Sequence, residues 1–68
     1  MKIAITSQGP DLDSPMDQRF GRCPYVLIVE TEDLTFEVVK NPYVDESGGV
    51  GSRLAALIAK HGAKAVIA

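Results

Sequence analysis

The side chains best suited to bind an anion are grouped around the only cysteine of the chain, Cys23. Arg22 directly precedes this cysteine, and Arg19 lies three positions before Arg22, so two guanidinium groups lie close to Cys23 in the sequence. Guanidinium groups pair with anionic ligands, and a cysteine sulfur is a soft metal ligand. Phe20 and Gly21 lie between the arginines, and glycine lets the backbone approach a ligand closely. This segment therefore favours an anionic, metal-containing ligand.

Cys23 also has a simpler interpretation, because a free cysteine is commonly a small buried residue. On residue type alone burial is favoured, since Cys23 lies at the start of an apolar run. Arg19 and Arg22 shift the balance toward a ligand, because an arginine needs either solvent or an anion. Nearby cations would also favour the Cys23 thiolate. The residue six positions after Cys23 is Val29, so the Cys-x5-Arg loop of cysteine phosphatases is absent.

A second candidate element is a glycine-rich segment, Gly48, Gly49 and Gly51, placed before a predicted helix. Backbone N–H groups at a helix N-terminus form a natural anion site. The segment lacks the Lys-Ser/Thr pair of a nucleotide-binding loop and does not match the dinucleotide fingerprint. The alternative is a flexible loop in which Ser47 or Ser52 caps the helix, and the residues alone favour it.

The remaining polar candidates carry less weight. Asp11, Asp13 and Asp17 share one long loop, but their spacing is not that of a calcium loop, so a solvated loop is favoured. His61 is favoured as a cation at a helix C-terminus over a metal ligand. No residue lies in a recognisable nucleophile elbow, and we do not expect an enzyme.

Composition narrows the class of protein. A chain of 68 residues forms at most one domain, and such a domain buries only about 60% of its unfolded surface. One cysteine and one histidine disfavour a disulfide framework or a structural zinc site. A net charge of −2 with scattered basic residues argues against a protein that binds nucleic acid. Without a signal peptide pattern or a membrane-length apolar run, we expect a cytoplasmic protein.

Hydrophobic patterns predict four strands and one helix. The strands are predicted at 2–6, 25–30, 35–40 and 63–68, and the helix at about 52–61, with Leu54, Leu57 and Ile58 on one face and Gly62 after its end. The second and third strands form a hairpin, and the last lies parallel to the first through a right-handed crossover. The last strand is predicted to be buried. Because the sequence stops inside it, we expect residues 1–68 to be the N-terminal part of a longer domain.

Several blocks appear in a recognisable order: Met1 to Ile5, an acidic loop, Phe20 to Tyr25, an apolar strand, Asn41-Pro42, the glycine-rich segment and Ala65 to Ile67. Together they resemble the dinitrogenase iron-molybdenum cofactor biosynthesis family. The resemblance covers essentially the whole chain. It implies an α/β fold of ribonuclease H-like type, with three antiparallel strands followed by a helix and a parallel strand. Family members continue beyond this strand, which agrees with a domain truncated at its C-terminus.

The resemblance implies a carrier that binds an anionic iron- or molybdenum-sulfur cluster, related to nitrogenase cofactor biosynthesis, without catalysis. The matching positions are Arg19, Phe20, Gly21, Arg22, Cys23, Gly48, Gly49 and Gly51, with Cys23 as the metal ligand. Many members have histidine at the position of Arg19. An arginine cannot ligate a metal, so we expect Arg19 to pair with the charge of the cluster.

Two other classes of protein are alternatives to the carrier. A metal-free interaction or regulatory module of the same fold would dock its incomplete sheet onto a partner or a second copy. A ribonuclease H-like nuclease would need carboxylates on its sheet to hold two metal ions. The first predicted strand, 2–6, carries none, so the nuclease is disfavoured.

Overall fold

The structure, a computed structural model, describes residues 1–46 and 48–67. Its elements in chain order are β1 (Lys2–Ser7), β2 (Tyr25–Glu30), β3 (Phe36–Lys40), α1 (Val50–Lys60) and β4 (Ala63–Ile67). The strands form one sheet in the order β3-β2-β1-β4. Across the described ranges, no helix has the length and apolar character needed to cross a membrane.

Strand directions follow the prediction. β2 pairs antiparallel with β1 and with β3, while β4 pairs parallel with β1. The β2–β3 turn is held by hydrogen bonds, since the Glu30 N–H donates to the Thr35 carbonyl at 2.8 Å and the Asp33 carboxylate accepts from the Thr35 hydroxyl at 2.7 Å. The predicted hairpin, the parallel final strand and the small mixed α/β fold are therefore confirmed.

The core lies between α1 and one face of the sheet. Leu54 and Ile58 are the buried residues of the helix, as their spacing predicts. They cluster with buried residues of β1 and β2 and with the cysteine before β2: Ala4, Val26, Ile28 and Cys23. Burying a leucine or isoleucine side chain stabilises the fold by roughly 1.5–3 kcal/mol, so this layer holds helix and sheet together.

The helix begins earlier than predicted. Gly49 is its N-cap, with a left-handed backbone (φ 67°), and α1 starts at Val50 rather than near residue 52. Ser52 lies inside the helix, so the predicted Ser52 cap is wrong; Ser47 lies outside the described residues. At the other end Gly62 has φ 84° and its N–H donates to the Ala59 carbonyl at 3.0 Å, which confirms the predicted helix end.

The prediction of a buried last strand is wrong for the residues that the structure describes. β4 occupies an edge of the sheet and pairs only with β1. Val66 and Ile67 are each 45% exposed, whereas the buried face of α1 lies over β1 and β2. The apolar sequence predicted a strand correctly, but its burial depends on neighbours that the sequence pattern does not reveal. Ala68 lies outside the described residues.

Candidate functional site

The arginine-rich loop, residues 19–23, and the glycine-rich segment meet at one end of the sheet. Gly21 has φ 92°, and a Cβ placed on it would lie 3.0 Å from the Gly51 nitrogen and from a methyl group of Val50. The Phe20 ring lies 3.8 Å from the position of a Cβ on Gly51. Only glycine at position 21 allows this contact, because a side chain would clash and the left-handed backbone disfavours one. The two sequence-predicted elements therefore form one site.

The long acidic loop, residues 8–22, folds back on β1. The Gln8 N–H donates to the Pro15 carbonyl at 2.9 Å, and Ser7 forms a bridge with Met16. The Asp17 N–H then donates to the Thr6 carbonyl at 3.1 Å, and the Thr6 hydroxyl donates to the Asp17 carbonyl. These bonds place the end of the loop beside the end of β1. The loop is thus ordered, although its sequence shows no strand pattern.

Asp17 and Arg19 form a forked ion pair. Oδ1 of Asp17 accepts from Nε of Arg19 at 3.0 Å, and Oδ2 accepts from Nη2 at 2.8 Å. The Arg19 backbone N–H also donates to Oδ1 at 2.8 Å, and these bonds hold the pKa of the Asp17 carboxyl below its usual value. The Asp17 side chain is 1% exposed, so the prediction that it is solvated is wrong.

This pairing changes the expected part of Arg19. Its side chain is exposed, but its charge is already balanced by Asp17. A shallow pocket of about 320 Å³ adjoins the pair and is lined by Gln8, Met16, Asp17, Gln18 and Arg19. Arg19 can still offer Nη1 to a ligand, because its bonds to Asp17 use only Nε and Nη2.

Arg22 carries the cationic charge that remains at the site. Its backbone N–H donates to the Arg19 carbonyl at 2.9 Å, and Nη1 donates to the Val44 carbonyl at 3.0 Å. Among residues 1–46 and 48–67, the ion pairs do not include Arg22. Arg53, near the helix start, pairs with Glu46. Arg22 is therefore held by a neutral group and keeps its charge for an anion.

Cys23 lies in the core, in contrast to the expectation of an activated thiolate. It is 0% exposed and packs in the cluster beneath α1. Burial raises the pKa of the Cys23 thiol; nearby backbone N–H groups of Gly21, Cys23 and Ser7 oppose this only in part. Desolvation is the largest cause, and the negative charge of Asp17 adds to it, so Cys23 does not have the lowered pKa expected beside Arg19 and Arg22. In this conformation Cys23 cannot reach a ligand.

Asn41 belongs to the Asn41-Pro42 block of the family resemblance, but its sequence position predicts no role in the site. It is buried, and its Nδ2 donates to the carbonyl oxygens of Gly21 at 3.0 Å and Cys23 at 2.8 Å. Its Oδ1 accepts from the Tyr43 N–H at 2.9 Å. An asparagine followed by proline is a common turn former, which was the available signal. The sequence could not show that this turn also binds the loop around Cys23.

The glycine-rich segment supplies backbone donors. Gly48 and Gly49 are exposed, and a Cβ on either would meet nothing within 4 Å. The first hydrogen bond of the helix runs from the Arg53 N–H to the Gly49 carbonyl at 3.1 Å. The N–H groups of residues 50–52 precede this bond, so they have no partner within the helix. They form the positive end of the helix dipole, which lies beside Gly21.

The other polar candidates do not join this site. His61 is the C-cap of α1 at the opposite end of the sheet, where Nδ1 lies 3.0 Å from Oε1 of Glu37. Asp11 and Asp13 are exposed in the loop. In the part of the chain that the structure describes, no three His, Cys, Asp or Glu side chains are grouped so that they could hold a metal ion.

Two solved structures have this fold and a related sequence. The apo orange protein of Desulfovibrio gigas is 36% identical, with a TM-score of 0.91 over 96% of this chain and 55% of its own. The NMR structure of a candidate NifB protein from Thermotoga is also 36% identical, with a TM-score of 0.81 over 98% of this chain and 57% of its own. The chain thus spans about half the length of both. A comparison with curated proteins finds none that matches.

The family comparison agrees with the resemblance expected from the motifs. The model of the family described as "Dinitrogenase iron-molybdenum cofactor" matches residues 1–68. The chain therefore belongs to the dinitrogenase iron-molybdenum cofactor family.

Proposed function

We propose that this chain binds and carries an anionic metal–sulfur cluster, containing iron or molybdenum, at the site formed by Gly21, Arg22 and the start of α1. The observation that carries the proposal is the contact between Gly21 and Gly51, which brings the arginine-rich loop against the N–H groups at the helix start. Family membership supports the class of ligand, since the family is named for the iron-molybdenum cofactor. The cluster is cargo in this account, and no catalytic step is required.

The donors present suit an anion better than they suit a bare metal ion. Arg22 offers a charge that the described carboxylates do not pair, and residues 50–52 offer backbone N–H groups. Such groups bind anions through charge-assisted hydrogen bonds and the helix dipole. Arg19, fixed by Asp17, supplies further guanidinium N–H groups beside the shallow pocket. We therefore assign the contact to the outer sulfur or oxygen atoms of a cluster.

Cys23 has a secondary part in this proposal. It could ligate a metal only if the loop around it opened, because its side chain is fully buried and burial raises the pKa of its thiol. With the loop closed, the cluster is held by guanidinium and N–H groups alone. Cys23 then acts as a core residue beneath the site.

An anaerobic titration tests this function. Tetrathiomolybdate is added to the protein, and binding is followed by the absorption of the anion and by equilibrium dialysis. Sulfate at the same concentration and ionic strength is the control for unspecific anion binding. We expect saturable binding of tetrathiomolybdate that sulfate displaces poorly. Equal, non-saturating uptake of both anions would contradict the proposal.

A second candidate, the metal-free interaction module, is favoured by the sheet face that α1 does not cover. Directly paired residues share a face, so two apolar rows cross all four strands there. The rows are Ala65, Ile3, Val29 and Phe36, and then Ile67, Ile5, Leu27 and Val38. Leu27 and Val29 in the middle of these rows are buried, whereas Phe36 and Val38 on β3 remain 41% and 42% exposed. The exposed apolar side chains lie toward the edge of this face, and exposed apolar patches mark interaction surfaces.

The oligomeric state of two proteins separates this candidate from the carrier. Light scattering after size exclusion is measured for the wild type and for a Phe36→Ser, Val38→Thr double variant. An interaction module that pairs with its own copy predicts a wild-type dimer that the double variant converts to a monomer. A wild-type monomer that still binds tetrathiomolybdate favours the carrier.

A further inference from the structure

Asn41 uses its side-chain amide to hold the loop of the candidate site. Nδ2 donates to the carbonyl oxygens of Gly21 and Cys23 at 3.0 and 2.8 Å. Oδ1 accepts from the Tyr43 N–H, and the Asn41 backbone N–H donates to the Pro24 carbonyl at 3.0 Å. The amide thus makes three of the four hydrogen bonds available to it, in a buried position.

The two residues whose carbonyl groups Asn41 binds are the two that define the site. Gly21 lies against the helix start, and Cys23 lies in the core. Buried hydrogen bonds are costly to lose, because an unpaired polar group then remains without water. One side chain therefore fixes both the contact of the loop with α1 and the burial of the thiol.

We infer that Asn41 is a positioning residue of the site: it keeps the loop closed, with Gly21 against the helix start and Cys23 shielded from solvent. The inference rests on the proposed function only in treating this region as a ligand site. The closed loop and the buried thiol can be tested without a ligand. No other amino-acid side chain of this length supplies two amide donors and a carbonyl acceptor.

Reaction of Cys23 with N-ethylmaleimide measures loop opening, and the chain has one cysteine, so intact mass reports a single position. Asn41→Asp keeps an acceptor for the Tyr43 N–H but removes both donors, while Asn41→Ala removes the whole amide. The control is Val29→Ala, which removes buried apolar atoms from the far face of the sheet and lowers stability without altering the Asn41 bonds.

We expect Cys23 to react at least about tenfold faster in both Asn41 variants than in the wild type, since each variant loses buried hydrogen bonds to the loop. The Val29→Ala protein, compared at the same folded fraction, should react within about twofold of the wild type. Asn41 variants that react no faster than this control would overturn the inference.

Binding of tetrathiomolybdate tests the link between the loop and the site. We expect Asn41→Asp to bind the anion about tenfold more weakly than Val29→Ala, because the loop no longer holds Gly21 and Arg22 in place. Fast thiol reaction together with unchanged binding would overturn the positioning role. If the wild type itself does not bind the anion, the proposed function fails, while the thiol rates still decide whether Asn41 closes the loop.

Asn41→Ser covers the case in which the larger changes prevent folding. A serine hydroxyl supplies one donor and an acceptor, so this variant retains part of the network. We expect the Cys23 thiol of Asn41→Ser to react faster than that of the wild type and more slowly than it would with no hydrogen bond from residue 41 to the loop. A rate equal to that of the wild type would overturn the inference.

Discussion

The backbone nitrogen of Gly51 lies 3.0 Å from the position that a Cβ on Gly21 would occupy. These residues are far apart in the sequence, one in a loop after β1 and the other in the first turn of α1. Their contact brings the helix N-terminus to the loop that carries Arg22. The close approach is therefore the structural basis of the proposed anion site.

Gly21→Ala is expected to lower stability and weaken anion binding. The left-handed φ of 92° costs an alanine about 1–2 kcal/mol, and its Cβ would also displace Gly51 or Val50. Chemical denaturation measures the loss. Gly48→Ala is the matched control, because a Cβ there meets nothing within 4 Å. We expect this control to change stability by less than about 0.5 kcal/mol; equal effects at both positions would contradict the contact.

Arg22→Gln is expected to weaken tetrathiomolybdate binding about tenfold, since hydrogen bonds to charged groups contribute roughly 1.5–3 kcal/mol. Arg53→Gln makes the same charge change near the helix start, but the Arg53 charge is already paired with Glu46. Titrations at low and high salt compare the two variants. The account predicts the larger loss of affinity and of salt dependence for Arg22→Gln, and the reverse order would count against it.

Asp17→Asn is expected to lower stability at neutral pH. Hydrogen bonds from Arg19 lower the pKa of the folded Asp17 carboxyl, so its contribution is present above the unfolded pKa of about 3.9. That contribution disappears as the pH falls through the lowered pKa. Denaturation midpoints across acidic pH should therefore converge for wild type and variant. Asp13→Asn, an exposed change in the same loop, should follow the wild type at every pH.

Cys23→Ala is expected to retain tetrathiomolybdate binding while losing about 1 kcal/mol of stability, because the side chain fills the core. Burial raises the pKa of the thiol, so its neutral form stabilises the fold below the unfolded pKa of about 8.5, and this advantage declines at higher pH. Titration and denaturation at several pH values check both statements. Lost binding in a folded Cys23→Ala protein would instead make Cys23 a metal ligand.

Local sequence pattern was sufficient to predict most of the fold. β2 was predicted with its observed bounds because an unbroken apolar run with β-branched residues fits a central strand. The helix face was found through the spacing of Leu54 and Ile58. The helix start was predicted two residues late, since Val50 and Gly51 are weak helix formers, and the turn at Gly49 permits the earlier start.

The candidate site was only partly readable from sequence. The two elements were identified by their glycines and arginines, and the structure brings them together at Gly21 and Gly51. The sequence did not predict that the charge of Arg19 is paired, because its pairing with Asp17 depends on how the loop folds against Thr6. The burial of Cys23 likewise depends on tertiary packing.

The most direct test of the central claim is a map of backbone amide shifts during titration with tetrathiomolybdate. Two-dimensional NMR spectra of the labelled protein report each N–H group separately. The account predicts the largest saturable shifts at Arg22 and at residues 50–52, with little change at the β2–β3 turn around Asp33. Shifts confined to that distant turn, or none at any concentration of the anion, would contradict the account.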